Sequence, residues 1–256
     1  MQRAVSAGQP GTAQESDWAA HDLLWAARSA LLPAPQPGAE SITPPPAWLA
    51  QVQGPVVIRR DQPPSANLLP VGVRGASKAE RYAAYLPRAA VLERLTPEQL
   101  VSEQRWCRHP LRLTHPVLRM LDQLAGRAAE LGLRWGITGS LGYELASGQP
   151  LLHDDSDLDL LIRTPSHISP ALAQEWQSQL LGLSPLCRVD IQLETPLGAI
   201  ALTEWAAQSD NRPGPVLRQG ILLKSNAGPQ LVTDPWQARP HACPVGSATP
   251  EETSPC

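Results

Sequence analysis

The sequence predicts an α/β chain of the α+β kind, a mixed sheet flanked by helices with a smaller N-terminal α+β domain before it. Three observations carry this. From residue 114 onward, stretches with helical spacing of apolar residues alternate with short β-rich runs. Before residue 110 the apolar runs are shorter and bounded by Pro and Gly. The 28 prolines among 256 residues also argue against long uninterrupted elements. A chain of this length can bury two modest cores. The expected division is a flexible 1–19, an N-terminal domain at 20–110 that meets substrate or partner, a catalytic domain at 111–239 and a disordered tail at 240–256.

Residues 1–16 are small and polar, and 33–46 holds six prolines with Gly and Ser between them, the composition of unpacked connecting chain. Residues 21–25 form a short apolar run, and 56–60 and 68–73 read as short strands of a small N-terminal sheet. Ser77 with Glu80 makes a capping box, and Ala79, Tyr82, Ala83 and Leu86 then recur at helical spacing, which predicts a helix up to Pro87. Thr96-Pro97-Glu98 is a second helix start. A helix over 116–131 carries Val117, Leu118, Leu121, Leu124 and Ala128 on one stripe and stops at Gly132. A strand at 134–138, a tight turn at Gly139-Ser140, a helical turn or two at 141–146 and a strand at 158–162 follow. Ser166 or Ser169 caps a helix through Leu181. Residues 188–194 alternate, with Val189, Ile191 and Leu193 on one face and Asp190, Gln192 and Glu194 on the other. Residues 221–225 and 230–233 flank Asn226-Ala227-Gly228 as a hairpin.

Composition excludes several function classes. A formal net charge of −3 gives no global attraction to nucleic acid, so any polyanion must meet a local basic patch. Cys107, Cys187, Cys243 and Cys256 are too scattered for a zinc site or a redox dithiol. No stretch supplies the roughly 18–20 apolar residues of a membrane helix, and the polar start lacks the apolar core of a secretory signal. A soluble, cytoplasmic protein is expected, with no membrane or nucleic-acid partner. No grouping of His, Ser and Cys makes a covalent triad.

The chemistry concentrates in Trp135-Gly-Ile-Thr-Gly-Ser140 and His153-Asp-Asp-Ser-Asp-Leu-Asp-Leu-Leu-Ile162. On a strand, Asp157 and Asp159 leave the same face while Leu158, Leu160 and Ile162 supply the buried alternation. Two adjacent carboxylates disfavour joint ionisation unless a cation sits between them, and hard oxygen ligands select Mg2+ or Mn2+. Asp190 completes a three-carboxylate set if its strand neighbours that of Asp159. The bland alternative is a solvated, acidic strand end. Gly139 and Ser140 offer backbone N–H groups and a hydroxyl at a helix start, where a phosphate oxygen can be held. Together these parts describe metal-assisted phosphoryl transfer.

Gly-Ser on a strand-helix turn, Asp-x-Asp on the next strand and a third Asp on a later one resemble the nucleotidyltransferase superfamily, which implies a mixed-sheet catalytic domain. A closer resemblance covers most of the chain. It rests on His21-Asp-Leu-Leu-Trp25, Leu69-Pro-Val-Gly-Val-Arg-Gly75, Gly139-Ser140, Asp155-Ser-Asp-Leu-Asp-Leu160, Arg188-Val-Asp-Ile-Gln192 and Val232-Thr-Asp-Pro-Trp236. These are similar to the malonate decarboxylase holo-acyl-carrier-protein synthases, also called phosphoribosyl-dephospho-CoA transferases. The resemblance implies that a serine of the apo acyl-carrier subunit attacks a triphosphoribosyl-dephospho-CoA donor and releases pyrophosphate. It also implies that Asp157 and Asp159 hold the catalytic metal.

Arg74, Lys78 and Arg81 gather at one junction and are candidates for the donor's phosphates or an acidic carrier, with a solvated helix face as the alternative. Arg163 and Lys224 are weaker candidates for phosphate contact, and His153 reads as a surface residue. Adenylyl transfer from ATP, the related citrate lyase holo-carrier synthase activity and a catalytically silent binding module remain as other readings.

Overall fold

The structure, a computed structural model, describes residues 18–35, 44–77, 79–182, 186–209 and 220–237. Residues 1–17 of the expected flexible 1–19, the tail at 240–256, Lys78, Cys243 and Cys256 lie outside these.

Short β-rich runs in the first half assemble into one sheet. Its strands are β1 (Leu23–Trp25), β2 (Leu32–Pro33), β3 (Val56–Ile58), β4 (Leu68–Arg74), β5 (Arg81–Pro87) and β6 (Glu93–Leu95), in the order β2-β5-β4-β3-β1-β6, with antiparallel neighbours. The helix expected after Ser77 is a strand instead. Glu80 Oε2 does accept from the Ser77 N–H, at 3.0 Å, but the bond closes a turn and not a helix. From there Tyr82, Ala84 and Leu86 are buried at period two, and β5 pairs with β4 from Arg74 opposite Arg81 to Leu68 opposite Pro87. Apolar residues on both faces of 79–86 satisfy both periodicities, and the ladder with β4 selects the strand. At the start of the proline-rich 33–46, Pro33 pairs with Ala84 and Ala34 is buried, whereas 36–43 lie outside the described residues.

The second half builds the larger unit. Helix α1 (Pro97–Ser102) starts at Thr96, whose side chain exchanges capping bonds with Gln99. Helix α2 (Pro116–Glu130) buries Val117, Leu118, Met120, Leu121, Leu124 and Ala128. Then come β7 (Trp135–Ile137), α3 (Gly139–Ser147), β8 (Leu158–Arg163), α4 (Pro170–Leu181), β9 (Val189–Thr195), β10 (Gly198–Ala201), α5 (Leu202–Ala206), β11 (Ile221–Ser225) and β12 (Gly228–Val232). Ser169 caps α4, its hydroxyl accepting from the Leu172 N–H. The sheet runs β12-β11-β10-β9-β8-β7; β8 and β9 are parallel, linked by α4, and the other neighbours are antiparallel. Sequence periodicity did not reveal β10 or α5, which are short and rich in Ala. The chain is thus α+β, two sheets with few helices. No helix among the described residues is long and apolar enough to cross a membrane.

Strand β1 joins the halves, and Arg60 Nη2 bonds Glu194 Oε1 across them at 2.6 Å. Strand β1 is shared between cores, with Leu24 in the cluster formed by the first sheet and Leu23 in the larger one. Helix α1 lies on β7 at Gly136, where an added Cβ would overlap Pro97 Cβ and come within 2.7 Å of the Pro97 carbonyl carbon. Gly136→Ala is therefore expected to lever α1 off the sheet and lower stability by about 1–3 kcal/mol, read as a lower urea midpoint at unchanged slope.

Candidate active site

The site is assembled at the start of α3 and the adjacent ends of β8 and β9. Thr138 follows β7 in extended conformation and donates its N–H to Asp159 O at 2.9 Å. Gly139 then adopts φ +64, the left-handed region open to glycine. A Cβ there would overlap Asp159 Oδ2 and stand 2.7 Å from its Cγ, so the bare Gly139 is the space in which the Asp159 carboxylate lies. Helix α3 starts at Gly139, so its N-terminal N–H groups begin beside this carboxylate.

The condition attached to Asp190 is met by the sheet. Strands β8 and β9 are neighbours, and Asp159 stands directly opposite Asp190. Register partners on parallel strands project to one face, and Gln192 follows Asp190 on that face. Asp157 immediately precedes β8. The Asp159 carboxyl is held above the usual aspartate range by burial first, then by the charges of Asp190 and Asp157, with Arg188 opposing. Arg188 itself pairs with Asp190 at 3.0 Å, both side chains being well exposed.

The chain between Ser140 and Asp157 is tied down by buried Glu144 of α3, which accepts from the N–H groups of Leu151 and Leu152 at 2.6 and 2.7 Å and contacts His109 Nε2 at 2.8 Å. Burial raises the Glu144 carboxyl, but these partners outweigh it and hold the group below the ordinary range. The loop that delivers Asp157 to β8 is thereby anchored to the helix that carries Ser140.

A cavity of about 340 Å³ opens in front of Asp159, lined by His21, Arg74, Arg81, Gly139, Tyr143 and Gln192 among others. Arg74 reaches across from the first sheet, its Nη1 donating to Ser140 Oγ at 3.1 Å, and its buried Nε has no hydrogen-bond partner. An orphaned buried donor beside a helix N-terminus fits an anionic oxygen. Of the sequence candidates, Arg74, Arg81, Gly139, Ser140 and Asp159 meet here, with Asp157 and Asp190 at the adjoining strand ends. Arg163 does not join them: it bonds Glu98 at 2.5 Å and lies 3.8 Å from buried Glu194, so its charge is compensated within the fold. Lys224 and His153 are exposed and do not line the cavity.

His21 was assigned no role from sequence, yet it lines this cavity in the left-handed region, φ 75, with Nε2 3.8 Å from Glu194 Oε1. Burial, helped by Arg60, Arg163 and Lys224 and opposed by Glu194, holds its pKa below the usual imidazole value, so it is neutral near pH 7. No periodicity in the sequence reveals a left-handed residue at this wall.

The donor set suits a hard divalent cation, because Asp159 is a partly buried carboxylate pressed by two others with only an exposed arginine to oppose them. As the side chains lie, no three His, Cys, Asp or Glu among the described residues form an ion cage, Asp190 being engaged by Arg188.

Comparison with known proteins decides the family. Residues 19–97 match the phosphoribosyl-dephospho-CoA transferase MdcG N-terminal domain and residues 102–235 match the MdcG C-terminal domain. The chain belongs to the phosphoribosyl-dephospho-CoA transferase family. A transferase of that name from Azotobacter vinelandii is 40% identical over 85% of this chain and 93% of its own length. Those from Pseudomonas fluorescens Pf-5 and Klebsiella pneumoniae 342 are 40% and 38% identical, over 88% and 84% of this chain and 97% and 95% of theirs. No solved structure matches the chain. The family named from the sequence motifs is the family found, and the two domain matches meet at α1, with one sheet in each.

Proposed function

We propose that the chain is a metal-dependent transferase that moves phosphoribosyl-dephospho-CoA from its triphosphate precursor to a serine of the apo acyl-carrier subunit of malonate decarboxylase. The single observation that carries the chemistry is Asp159 standing opposite Asp190 on neighbouring strands, in front of the Gly139 turn and the two arginines. The family supplies the donor class. In this reading Arg74 and Arg81 hold donor phosphates, and Ser140 Oγ with the α3 N–H groups receives the departing end. The serine oxygen bonds to the phosphorus nearest the ribosyl group, the bridging bond beyond it breaks, pyrophosphate leaves and the serine proton passes to Asp190. Asp157, Asp159 and Asp190 would hold Mg2+ or Mn2+. Bound there, the ion would screen the charge that builds on the phosphoryl oxygens.

The test is intact-mass spectrometry of the apo carrier subunit after incubation with this protein, Mg2+ and triphosphoribosyl-dephospho-CoA, beside a reaction with ATP. One phosphoribosyl-dephospho-CoA adduct, lost with EDTA, is the expected result. An adduct from ATP alone would replace the donor, and no adduct from either would overturn the assignment.

A further inference from the structure

A second cavity, of about 430 Å³, adjoins the one at Asp159 and shares Arg74 with it. Its walls come from both halves of the chain: Trp48, Gln51, Gln53 and Glu80 from the first, Gln149 and Leu151 from the loop after α3. The wall between them is built firmly. Arg28 donates to Val52 O at 3.1 Å and to Gly54 O at 2.5 Å, the Tyr143 hydroxyl donates to Pro55 O at 3.0 Å, and Gln149 Nε2 donates to Gln53 O at 2.7 Å. The volume falls within the range of about 300–1,000 Å³ typical of small-molecule sites.

We propose that this cavity is the purine subsite of the donor, taking adenine against Trp48 while Arg74 meets the phosphates on its other side. The proposal rests on the donor class given above and deepens it. A dephospho-CoA-derived donor carries its reacting triphosphate on one pentose and its adenine on another, so a site that grips both needs two neighbouring compartments. The first has arginines, a helix N-terminus and carboxylates. The second has a half-buried indole that packs against the core of the first sheet, and side-chain amides, which offer donors and acceptors together. An aromatic face with amides fits a purine ring and its Watson–Crick edge. Glu80 on the same wall disfavours a second phosphate group, and the pantetheine arm, although its amides could meet the glutamines, has no flat ring to lie on the Trp48 indole.

Calorimetry on the full chain with dephospho-CoA, without carrier or donor triphosphate, tests this. Wild type should bind dephospho-CoA, adenosine should compete, and pantetheine should not. Trp48→Ala should weaken binding about tenfold or more, the loss expected when a base loses its stacking partner, and Trp48→Phe should recover most of it. If Trp48→Ala does not fold, Gln51→Ala, at an exposed position, should still weaken binding several-fold. Unchanged affinity in the folded variants, competition by pantetheine instead of adenosine, or no binding by wild type would each overturn the subsite. Failure of carrier modification by wild type while dephospho-CoA binding still depends on Trp48 would instead overturn the transfer reading and leave the subsite standing.

Discussion

Asp159→Asn is expected to cut carrier modification by about a thousandfold or more while raising the thermal midpoint of the metal-free protein. Both effects come from one environment. The wild-type carboxylate is partly buried and faces Asp190 and Asp157, which is why its pKa is raised. A group bound more tightly by protons in the folded state than in the unfolded one costs stability above its folded pKa, and that cost fades as pH falls through it. The amide is neutral and nearly isosteric, so it removes the cost at neutral pH and flattens this part of the pH dependence. Under the proposed function it also removes a hard anionic ligand and the charge that phosphoryl transfer needs. Mg2+ at a hundred times its Kd should add about 2.7 kcal/mol to wild type, roughly 5–10 °C for a chain of this size, and almost nothing to the variant. Differential scanning fluorimetry in EDTA and in Mg2+, beside the mass assay, reads all of this. An Asp159→Asn protein that still modifies carrier at near wild-type rate, or that melts lower than wild type in EDTA, would contradict it.

Gly139→Ala should be nearly as damaging to activity, a loss of about a hundredfold or more, because displacing a reacting group by about 1 Å can cost that much. Its Cβ would occupy the space of the Asp159 carboxylate, and the left-handed backbone costs any other residue about 1–2 kcal/mol. The two contributions separate in a matched control. Gly148, at the other end of α3, has φ +71, yet an added Cβ there meets nothing within 4 Å. Gly148→Ala should therefore lose about 1 kcal/mol of stability and keep its activity. Equal losses of activity in the two variants would show that Asp159 is not held by Gly139.

The Asp-x-Asp spacing, the apolar alternation around it and the Gly-Ser turn were legible because each is a local pattern, set by the two-residue repeat of a strand and the needs of a helix start. The same reasoning failed at 79–87, where alanines and tyrosines fit both periods and pairing with β4 selects the strand. It also could not tell a free cation from a compensated one. Arg163 and Arg74 look alike in sequence, but Arg163 is paired to Glu98, 65 positions away, whereas Arg74 points at Ser140, 66 positions on, with a donor to spare.

By itself the sequence determined the α+β class, the family and the acidic strand with its glycine turn, since local spacing and motif carry these. Only the tertiary structure decided that Asp190 stands opposite Asp159, that Arg74 and His21 enter from the other sheet, and that Arg163 is neutralised. Strand order, burial and charge pairing are long-range properties. A buried charge is settled by whichever distant partner the fold brings within about 4 Å of it, and no window of neighbouring residues contains that partner.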